Sequence, residues 1–198
     1  MSERKSQRIA ITPTQAYGLE HQLSAPAQAE ESGYTDAWYA DTGYPDTLTL
    51  AATTAGATKN LRIGVAVNTV YAPTPATLAS TAATLNNLLD GRFVLGIGSS
   101  SAAMTEGWHG VPFDKPVTRV RETTQIIRQA LSGEKTDFQG ETVSSKGYRQ
   151  TSNDVPIFIA ALRSKMIEVA AAYGDGVVLN LWPARALPKI MGHVAIGA

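Results

Sequence analysis

Short apolar runs alternate with longer, alanine-rich stretches along the chain. The runs are too short for helices, and those at residues 61–67 and 176–181 are rich in valine and isoleucine, as expected for strands buried on both faces. The first four runs begin 26, 27 and 31 residues apart, close to the length of one βα unit. Strands are therefore predicted at residues 8–12, 34–39, 61–67, 92–98, 156–161 and 176–181.

The stretches between these runs predict helices. Gly33 and Gly133 follow two of them, and glycine is the usual left-handed residue just past the end of a helix. Ser164 is expected to cap the last predicted helix. The longer segment 133–154 contains two further glycines and predicts a small excursion or hairpin. The predicted helices span residues 19–32, 75–89, 117–131 and 164–172.

Alternating strands and helices predict an α/β fold with a parallel sheet. Two arrangements satisfy the pattern, an open doubly wound sheet and a (β/α)8 barrel. A complete barrel takes eight βα units and about 250 residues. This chain has 198 residues and six predicted strands, which favours a single domain over residues 1–198. Periodicity leaves open whether that domain is an open six-stranded sheet or six units of a barrel.

Composition narrows the classes of function. Seventeen basic and seventeen acidic residues cancel, so no overall positive charge attracts nucleic acid or an anionic membrane. Without cysteine the chain has no disulfide, thiolate nucleophile or cysteine-bound metal, and its three histidines lack metal-ligand spacing. No apolar stretch reaches the roughly 18 residues of a membrane span, and residues 1–8 do not resemble a secretory signal. We expect a cytoplasmic protein with no metal site and with neither nucleic acid nor membrane as a partner.

One turn carries the strongest local signal for a ligand. The predicted strand at 92–98 runs directly into Gly98, Ser99, Ser100 and Ser101. Glycine lets the backbone approach a ligand closely, and exposed N–H groups beside serine hydroxyls suit a phosphate. The segment lacks the third glycine of a dinucleotide fingerprint, and on its own it is equally compatible with a tight βα turn.

Three other places offer polar or aromatic groups. Asp41 follows the second strand, where α/β folds place catalytic carboxylates, although a lone aspartate there also serves turns and helix caps. Asn68 and Thr69 follow the third strand and are expected at its rim, where they can hydrogen-bond a heterocycle. Trp108 and His109 lie in the predicted loop after the fourth strand, either as an exposed aromatic pair or as a lid over a planar ligand.

Six segments together carry a family resemblance: residues 31–41 (ESGYTDAWYAD), 61–68 (LRIGVAVN), 90–98 (DGRFVLGIG), 131–136 (LSGEKT), 155–161 (VPIFIAA) and 174–180 (GDGVVLN). Each is loosely defined alone, but together they occur in one order and span most of the chain. In that order they resemble the luciferase-like monooxygenase superfamily, specifically its coenzyme F420-dependent branch around methylenetetrahydromethanopterin reductase.

The resemblance implies a (β/α)8 barrel that binds coenzyme F420, or alternatively FMN, across the C-terminal ends of its strands. It implies a non-proline cis peptide bond between Ala66 and Val67 that supports the cofactor ring, with Asn68 and Thr69 beside it. It also implies that two turns hold the cofactor phosphate, with Arg163 adding a cation. These turns comprise Gly98, Ser99, Ser100 and Ser101 after the fourth strand and Ala160, Ala161, Leu162 and Arg163 after the fifth.

The resemblance further implies hydride transfer between the deazaflavin and a small organic substrate, with Asp41, Thr42 and Trp108 on the substrate side. Two departures bear on that chemistry. Thr42 stands where some relatives have a proton-transferring histidine, and Ser101 stands where many have an acidic residue. Neither side chain acts as an acid or base near neutral pH. The matching residues therefore support cofactor binding by this chain more strongly than they support any particular reaction.

Two other functions stay open. An FMN-dependent monooxygenase of the same fold would use the same phosphate cradle. A non-catalytic, incomplete barrel would instead bind a partner chain through its open sheet edges. Relatives are longer than this chain, so we expect a chain truncated at its C-terminus, and its protein partner is expected to be a second copy or a chain that supplies missing strands.

Overall fold

The computed structural model describes residues 8–198, which form a large parallel sheet, a small hairpin and seven α-helices. The strands are β1 (Ala10–Ile11), β2 (Asp36–Tyr39), β3 (Arg62–Val65), β4 (Asn68–Thr69), β5 (Phe93–Gly98), β6 (Asp137–Gln139), β7 (Ser144–Lys146), β8 (Ile157–Ala160) and β9 (Gly176–Val178). The α-helices are α1 (Gly18–Glu31), α2 (Thr47–Thr53), α3 (Pro75–Leu88), α4 (Ala102–His109), α5 (Pro116–Leu131), α6 (Ser164–Tyr173) and α7 (Leu187–Gly197).

The large sheet follows chain order without a reversal: β1, β2, β3, β5, β8 and β9, with every pair parallel. The short strand β4 also pairs with β5 and continues the third strand after a break. An open doubly wound sheet reverses its order at a switch point, whereas a barrel adds each strand beside the previous one. The observed order is therefore that of a barrel wall, and the predicted α/β fold with six parallel strands is confirmed as a half-barrel.

Side chains alternate between the two faces of this sheet. On the convex face, Ile63, Leu95 and Ile157 are fully buried and join one hydrophobic core with the helices. Their neighbours along the strands, such as Gly96 and Phe158, point to the concave face. Burial of the convex face holds the sheet and helices together and leaves the concave face for a site.

The predicted segment 133–154 and the predicted loop after the fourth strand have different outcomes. The first contains the antiparallel hairpin β6–β7, as predicted. The second is helical rather than a loop, so the predicted loop position of Trp108 and His109 is wrong: both lie in the last turn of α4. Helix α4 begins where Ser101 Oγ accepts a hydrogen bond from the Met104 amide, and α2 is a further helix that the sequence did not predict.

The start of α6 corrects a second prediction. Arg163, not Ser164, occupies the N-cap position, and no side chain makes a capping hydrogen bond there. Ser164 has already entered the helix, one residue beyond the position from which a side chain caps. The first amide groups of α6 are consequently left without a side-chain acceptor.

None of the helices within residues 8–198 has the length and apolarity needed to cross a membrane. In the same part of the chain, histidine and carboxylate side chains form no group that could hold a metal ion. The expectation about a secretory signal concerns residues 1–8, of which residues 1–7 lie outside the described part.

Candidate functional site

A cleft of about 1260 Å³ opens on the concave face of the sheet, at the C-terminal ends of the strands. This is the end at which barrels of parallel strands carry their active sites. The cleft brings together most of the residues predicted from the sequence, while Thr42, Asn68, Thr69 and Trp108 are not part of its lining. The predicted residues that line it are Asp41, Ala66, Val67, Gly98, Ser99, Ser100, Ser101, Ala160, Ala161, Leu162 and Arg163.

One wall of the cleft depends on a glycine. A Cβ atom on Gly98 would lie 2.8 Å from Cγ2 of Val67 and 3.1 Å from Cβ of Ala160. The peptide bond between Ala66 and Val67 is cis, as the resemblance implies. Because Gly98 has no side chain, Val67 and Ala160 meet as a continuous apolar wall. Such a wall can support the face of a planar ring, so this part of the cleft fits a flavin or deazaflavin.

The two turns that the resemblance implies as a phosphate cradle lie next to each other. Ile97 pairs with Ile159, so the turns that follow β5 and β8 start side by side. The first turn leads into α4 and the second into α6, and both helix starts border the cleft. A helix N-terminus carries unpaired amides and a partial positive charge, so two of them together favour an anion. The missing side-chain cap on α6 leaves its amides available for that anion.

Charge within the cleft is segregated. Among its described lining residues, Arg163 and Lys165 are the two cations, and both follow β8. Asp41 is the one acid, and it follows β2. Strands β2 and β8 are three places apart in the sheet, a separation of about 14 Å along it. The arrangement separates an anion-binding end from an end with a carboxylate.

Asp41 sits in a tight turn after β2, where its Oδ1 accepts a hydrogen bond from the Gly43 amide at 3.2 Å. Thr42 is the next residue but does not border the cleft. The ring of Trp108 lies against Gly43, 3.2 Å from the position a Cβ would take, and the side chain is 56% exposed. Trp108 thus packs on the outside of this turn and not over the cleft.

Asn68 and Thr69 are buried beneath the cleft, away from its rim. Asn68 Nδ2 donates to Thr47 Oγ1 at 3.0 Å, and Thr69 Oγ1 accepts from the Tyr71 amide at 3.2 Å. Both residues belong to β4, whose pairing with β5 turns them into the protein. In this arrangement they stabilise the strand break that carries Val67.

The sequence did not identify the floor of the cleft. Trp38 on β2 and Phe158 on β8 meet across the concave face, with ring centroids 5.6 Å apart and planes inclined by 34°. Each ring lies on a glycine of the adjacent strand, Trp38 on Gly64 and Phe158 on Gly176. The pairing of large residues with glycine across neighbouring strands was the signal that could have found this floor.

An arginine lies below the two rings. The Arg62 guanidinium carbon is 5.8 Å from the centroid of Trp38 and 5.8 Å from that of Phe158. Arg62 also forms an ion pair with Asp36, which is 1% exposed and accepts a 2.7 Å hydrogen bond from Arg8. The buried ion pair anchors the arginine and, through it, the aromatic floor.

The ionisation of Asp36 follows from these contacts. Burial raises its pKa, but hydrogen bonds from Thr35, Arg8 and Arg62 lower it further, and the net pKa lies below the ordinary value of 3.8. Asp36 is therefore a carboxylate at neutral pH. Because both its oxygens are engaged by protein groups, its role is structural.

The segment before α5 and the first turn of that helix close another side of the cleft with Phe113, Pro116 and Val117. Tyr71 holds this segment, since its hydroxyl donates to the Asp114 carbonyl at 2.5 Å and its ring is 5.3 Å from that of Phe113. The apolar side chains exclude water from this side. The hydrophobic pattern of residues 110–116 did not predict that this segment borders the cleft.

Comparison with known proteins agrees with this geometry. The family model for luciferase-like monooxygenase matches residues 7–198. A 5,10-methylenetetrahydromethanopterin reductase of Archaeoglobus fulgidus is 33% identical over 167 residues, which cover 83% of this chain and 49% of the relative. The chain thus spans about half the length of that curated relative.

Solved structures share the fold. The coenzyme F420-dependent tetrahydromethanopterin reductase of Methanopyrus kandleri superposes with a TM-score of 0.78 at 23% identity, covering 96% of this chain and 59% of the other. The oxygenating component of a 3,6-diketocamphane monooxygenase of Pseudomonas putida, solved with FMN, gives a TM-score of 0.83 at 17% identity, covering 98% and 62%. The matched relatives are oxidoreductases and monooxygenases. From the family match over residues 7–198 and the 33% identical relative, we conclude that the chain belongs to the luciferase-like monooxygenase family.

Proposed function

We propose that this chain binds coenzyme F420 in the concave cleft and supports hydride transfer between the deazaflavin and a small organic substrate. The observation that carries the proposal is the position of the α4 and α6 N-termini, side by side at one end of a cleft whose wall is built on Gly98. An anion site next to a flat apolar wall matches a ligand with a phosphate and a planar ring.

Residues of the two turns would hold the phosphate. The backbone amides at the start of α6 and the hydroxyls of Ser99 and Ser100 supply donors, and Arg163 supplies a charge-assisted hydrogen bond. The apolar wall of Val67, Gly98 and Ala160 would orient the ring. The backbone amides of α6 and the wall at Gly98 and Ala160 are held by a helix start and by the sheet, so little reorganisation of the backbone is needed on binding.

The chemistry rests on the cofactor, which supplies hydride transfer when bound. Asp41 would orient the substrate or exchange a proton with it through its carboxylate, because it is the one acid among the described lining residues. Thr42 and Ser101 cannot replace the acid or base that relatives carry at those positions. Phe113, Val117 and Phe158 would exclude water from the reacting centre.

A fluorescence titration of F420 with the purified chain tests the proposal. Saturable binding is expected, and Arg163→Glu should weaken it by about tenfold or more, since a charge-assisted hydrogen bond is replaced by repulsion. Lys146→Glu, on the exposed edge of the hairpin, makes the same charge change away from the cleft and should bind as the unchanged chain does. Absence of F420 binding by folded protein, checked by circular dichroism, would refute the proposal.

The alternative is an FMN-dependent monooxygenase, with which the anion site is equally compatible, because the paired helix starts fit the monophosphate of FMN as well as a phosphodiester. Competition by FMN in the same titration separates the two cofactors. Oxygen consumption with reduced FMN provides a second readout, because reduced deazaflavin reacts only slowly with oxygen.

A further inference from the structure

A second cavity lies directly behind the anion-binding end of the cleft. It has a volume of about 340 Å³, is open to solvent on one side, and is bordered by the start of α6, by α7 and by Trp182. Residues 162–164 line both this cavity and the cleft, so the two spaces share a wall that includes the N-cap of α6. We call it the rear cavity; its other lining residues are Ile167, Trp182, Lys189, Ile190 and His193.

The charged lining of the rear cavity is basic. Lys189 and His193 are four residues apart on α7 and therefore lie on one face of that helix, opposite Arg163. Among the described lining residues there is no carboxylate. The nearby Glu168 is already engaged, since its two oxygens contact His193 Nδ1 at 3.1 Å and Lys165 Nζ at 3.2 Å. The cavity therefore presents uncompensated positive charge from Arg163 and Lys189.

A buried donor in the same cavity lacks an acceptor. The indole Nε1 of Trp182 is inaccessible and has no hydrogen-bond partner within residues 8–198. An indole N–H can only donate, and leaving such a group unpaired is unfavourable. Because a water-sized probe cannot reach this atom, an anion in the cavity would accept its hydrogen bond only after the indole ring turns. Ile167 and Ile190 form the apolar base against which the carbon chain of such an anion can pack.

We infer that the rear cavity binds carboxylates at the far end of the cofactor, beyond its phosphate. This inference rests on the proposed function. FMN ends at a monophosphate, whereas F420 continues through a phosphodiester into a lactyl group and a glutamate tail. A ligand whose phosphate lies at the paired helix starts has the rear cavity as its next neighbour, across residues 162–164. The rear cavity thus selects the deazaflavin cofactor over FMN by its tail.

Titrations of tailed F420 and of the same cofactor without its glutamates test this inference. At low ionic strength the unchanged chain should bind the tailed form about threefold to tenfold more tightly, because two partly exposed cations contribute modestly. Lys189→Glu should abolish that difference, and it should weaken the trimmed form less than the tailed form, because the trimmed form keeps only the lactyl carboxylate beyond its phosphate. Lys146→Glu, the same charge change on the hairpin, should preserve the difference.

The outcomes separate the two proposals. Equal affinity of the unchanged chain for both forms would overturn the rear-cavity inference and leave F420 binding intact. A difference that survives Lys189→Glu would also overturn it, because the tail would then be held elsewhere. Failure of both forms to bind would refute the proposed function and the inference with it. A tail preference that disappears in Lys189→Glu and is reduced by added salt would support the inference.

Discussion

Gly98 and Val67 approach each other so closely that a methyl group on Gly98 would lie 2.8 Å from Cγ2 of Val67. Gly98 ends β5, and Val67 follows the cis bond that separates β3 from β4. The contact joins two parts of the chain where both line the cleft. Val67 thus occupies the space that a side chain at position 98 would fill, and its place in the wall depends on the glycine.

Replacing Gly98 by alanine should disrupt this contact. The added methyl group also meets Ala160 at 3.1 Å, so either strand β8 or Val67 must shift. We expect the free energy of unfolding to fall by about 1–3 kcal/mol, the usual range for overpacking a close contact. F420 affinity should fall as well, because the wall that supports the ring is displaced. Urea unfolding and the fluorescence titration measure the two effects.

Gly107→Ala is the matched control, since it makes the same change in α4, where no atom lies within 4 Å of the added methyl group. It should raise the free energy of unfolding by about 0.5–1 kcal/mol, because alanine is the better helix residue. F420 affinity should not change. Equal tolerance of both substitutions would show that the wall at Gly98 is not tightly packed.

Local signals in the sequence predicted the turns that border the cleft, but they did not predict which nearby residues are buried beneath it. The order of strands and helices, and the run of Gly98 into serines, are short-range patterns that survive without tertiary information. Asn68 and Thr69 could not be placed, because the chain forms β4 beyond Val67 and pairs it with β5. That pairing buries both side chains. A rim position and a buried position after a strand look the same in a single sequence.

Asp36→Asn tests the ion pair below the floor. The carboxylate balances Arg8 and Arg62, and an amide would leave both cations without a countercharge. We expect a loss of about 2–4 kcal/mol in the free energy of unfolding, smaller than for a fully buried pair because both arginines are partly exposed. Asp154→Asn, an exposed aspartate, should change stability by less than about 0.5 kcal/mol.

The same residue predicts a pH dependence. The pKa of Asp36 is lower in the folded chain than its ordinary value of 3.8, so the folded state binds fewer protons than the unfolded state in this range. Its stabilisation should be nearly complete above about pH 5 and should be lost progressively as the pH falls through 3.8 and towards the lower folded-state pKa. Unfolding in urea between neutral pH and pH 3 measures this. In Asp36→Asn the decline should be shallower, and an identical decline would exclude Asp36 as its source.

Glu122→Gln should loosen the β6–β7 hairpin. Glu122 is 4% exposed, and its carboxylate accepts hydrogen bonds from the amides of Glu141, Thr142 and Val143 and from the Thr142 hydroxyl. Burial raises its pKa, but these hydrogen bonds lower it more, so the carboxylate is charged in the folded chain. A glutamine would present its NH₂ group to some of these donors. We expect a loss of about 1–3 kcal/mol.

Hydrogen exchange locates that effect. The amides of Thr142 and Val143 should exchange faster in Glu122→Gln, while those of β5 should keep their protection unless the whole chain is destabilised. Glu134→Gln, at an exposed position, should leave both sets unchanged. Unaltered exchange at Thr142 in Glu122→Gln would mean that the hairpin does not depend on the carboxylate.

Charged residues such as Glu122 and Asp36 show why the rest of the architecture escaped prediction. A glutamate inside a predicted helix indicates a solvated face, yet Glu122 binds a turn that lies 19 to 21 residues further along the chain. Asp36 likewise lies within the predicted strand 34–39, and its partner Arg62 lies 26 residues away. Long-range pairing of this kind leaves no periodic signal in a single sequence.

The aromatic floor permits a test by a double mutant. A Cβ on Gly64 would fall within the ring of Trp38, so Gly64→Ala alone should destabilise the chain by about 1–3 kcal/mol. Trp38→Ala alone should cost about 2–4 kcal/mol, because Phe158 and Arg62 lose their contacts with the ring. In the double mutant the clash is absent, so the combined loss should be smaller than the sum by about 1–3 kcal/mol. Additive losses in urea unfolding would show that Trp38 does not lie on Gly64.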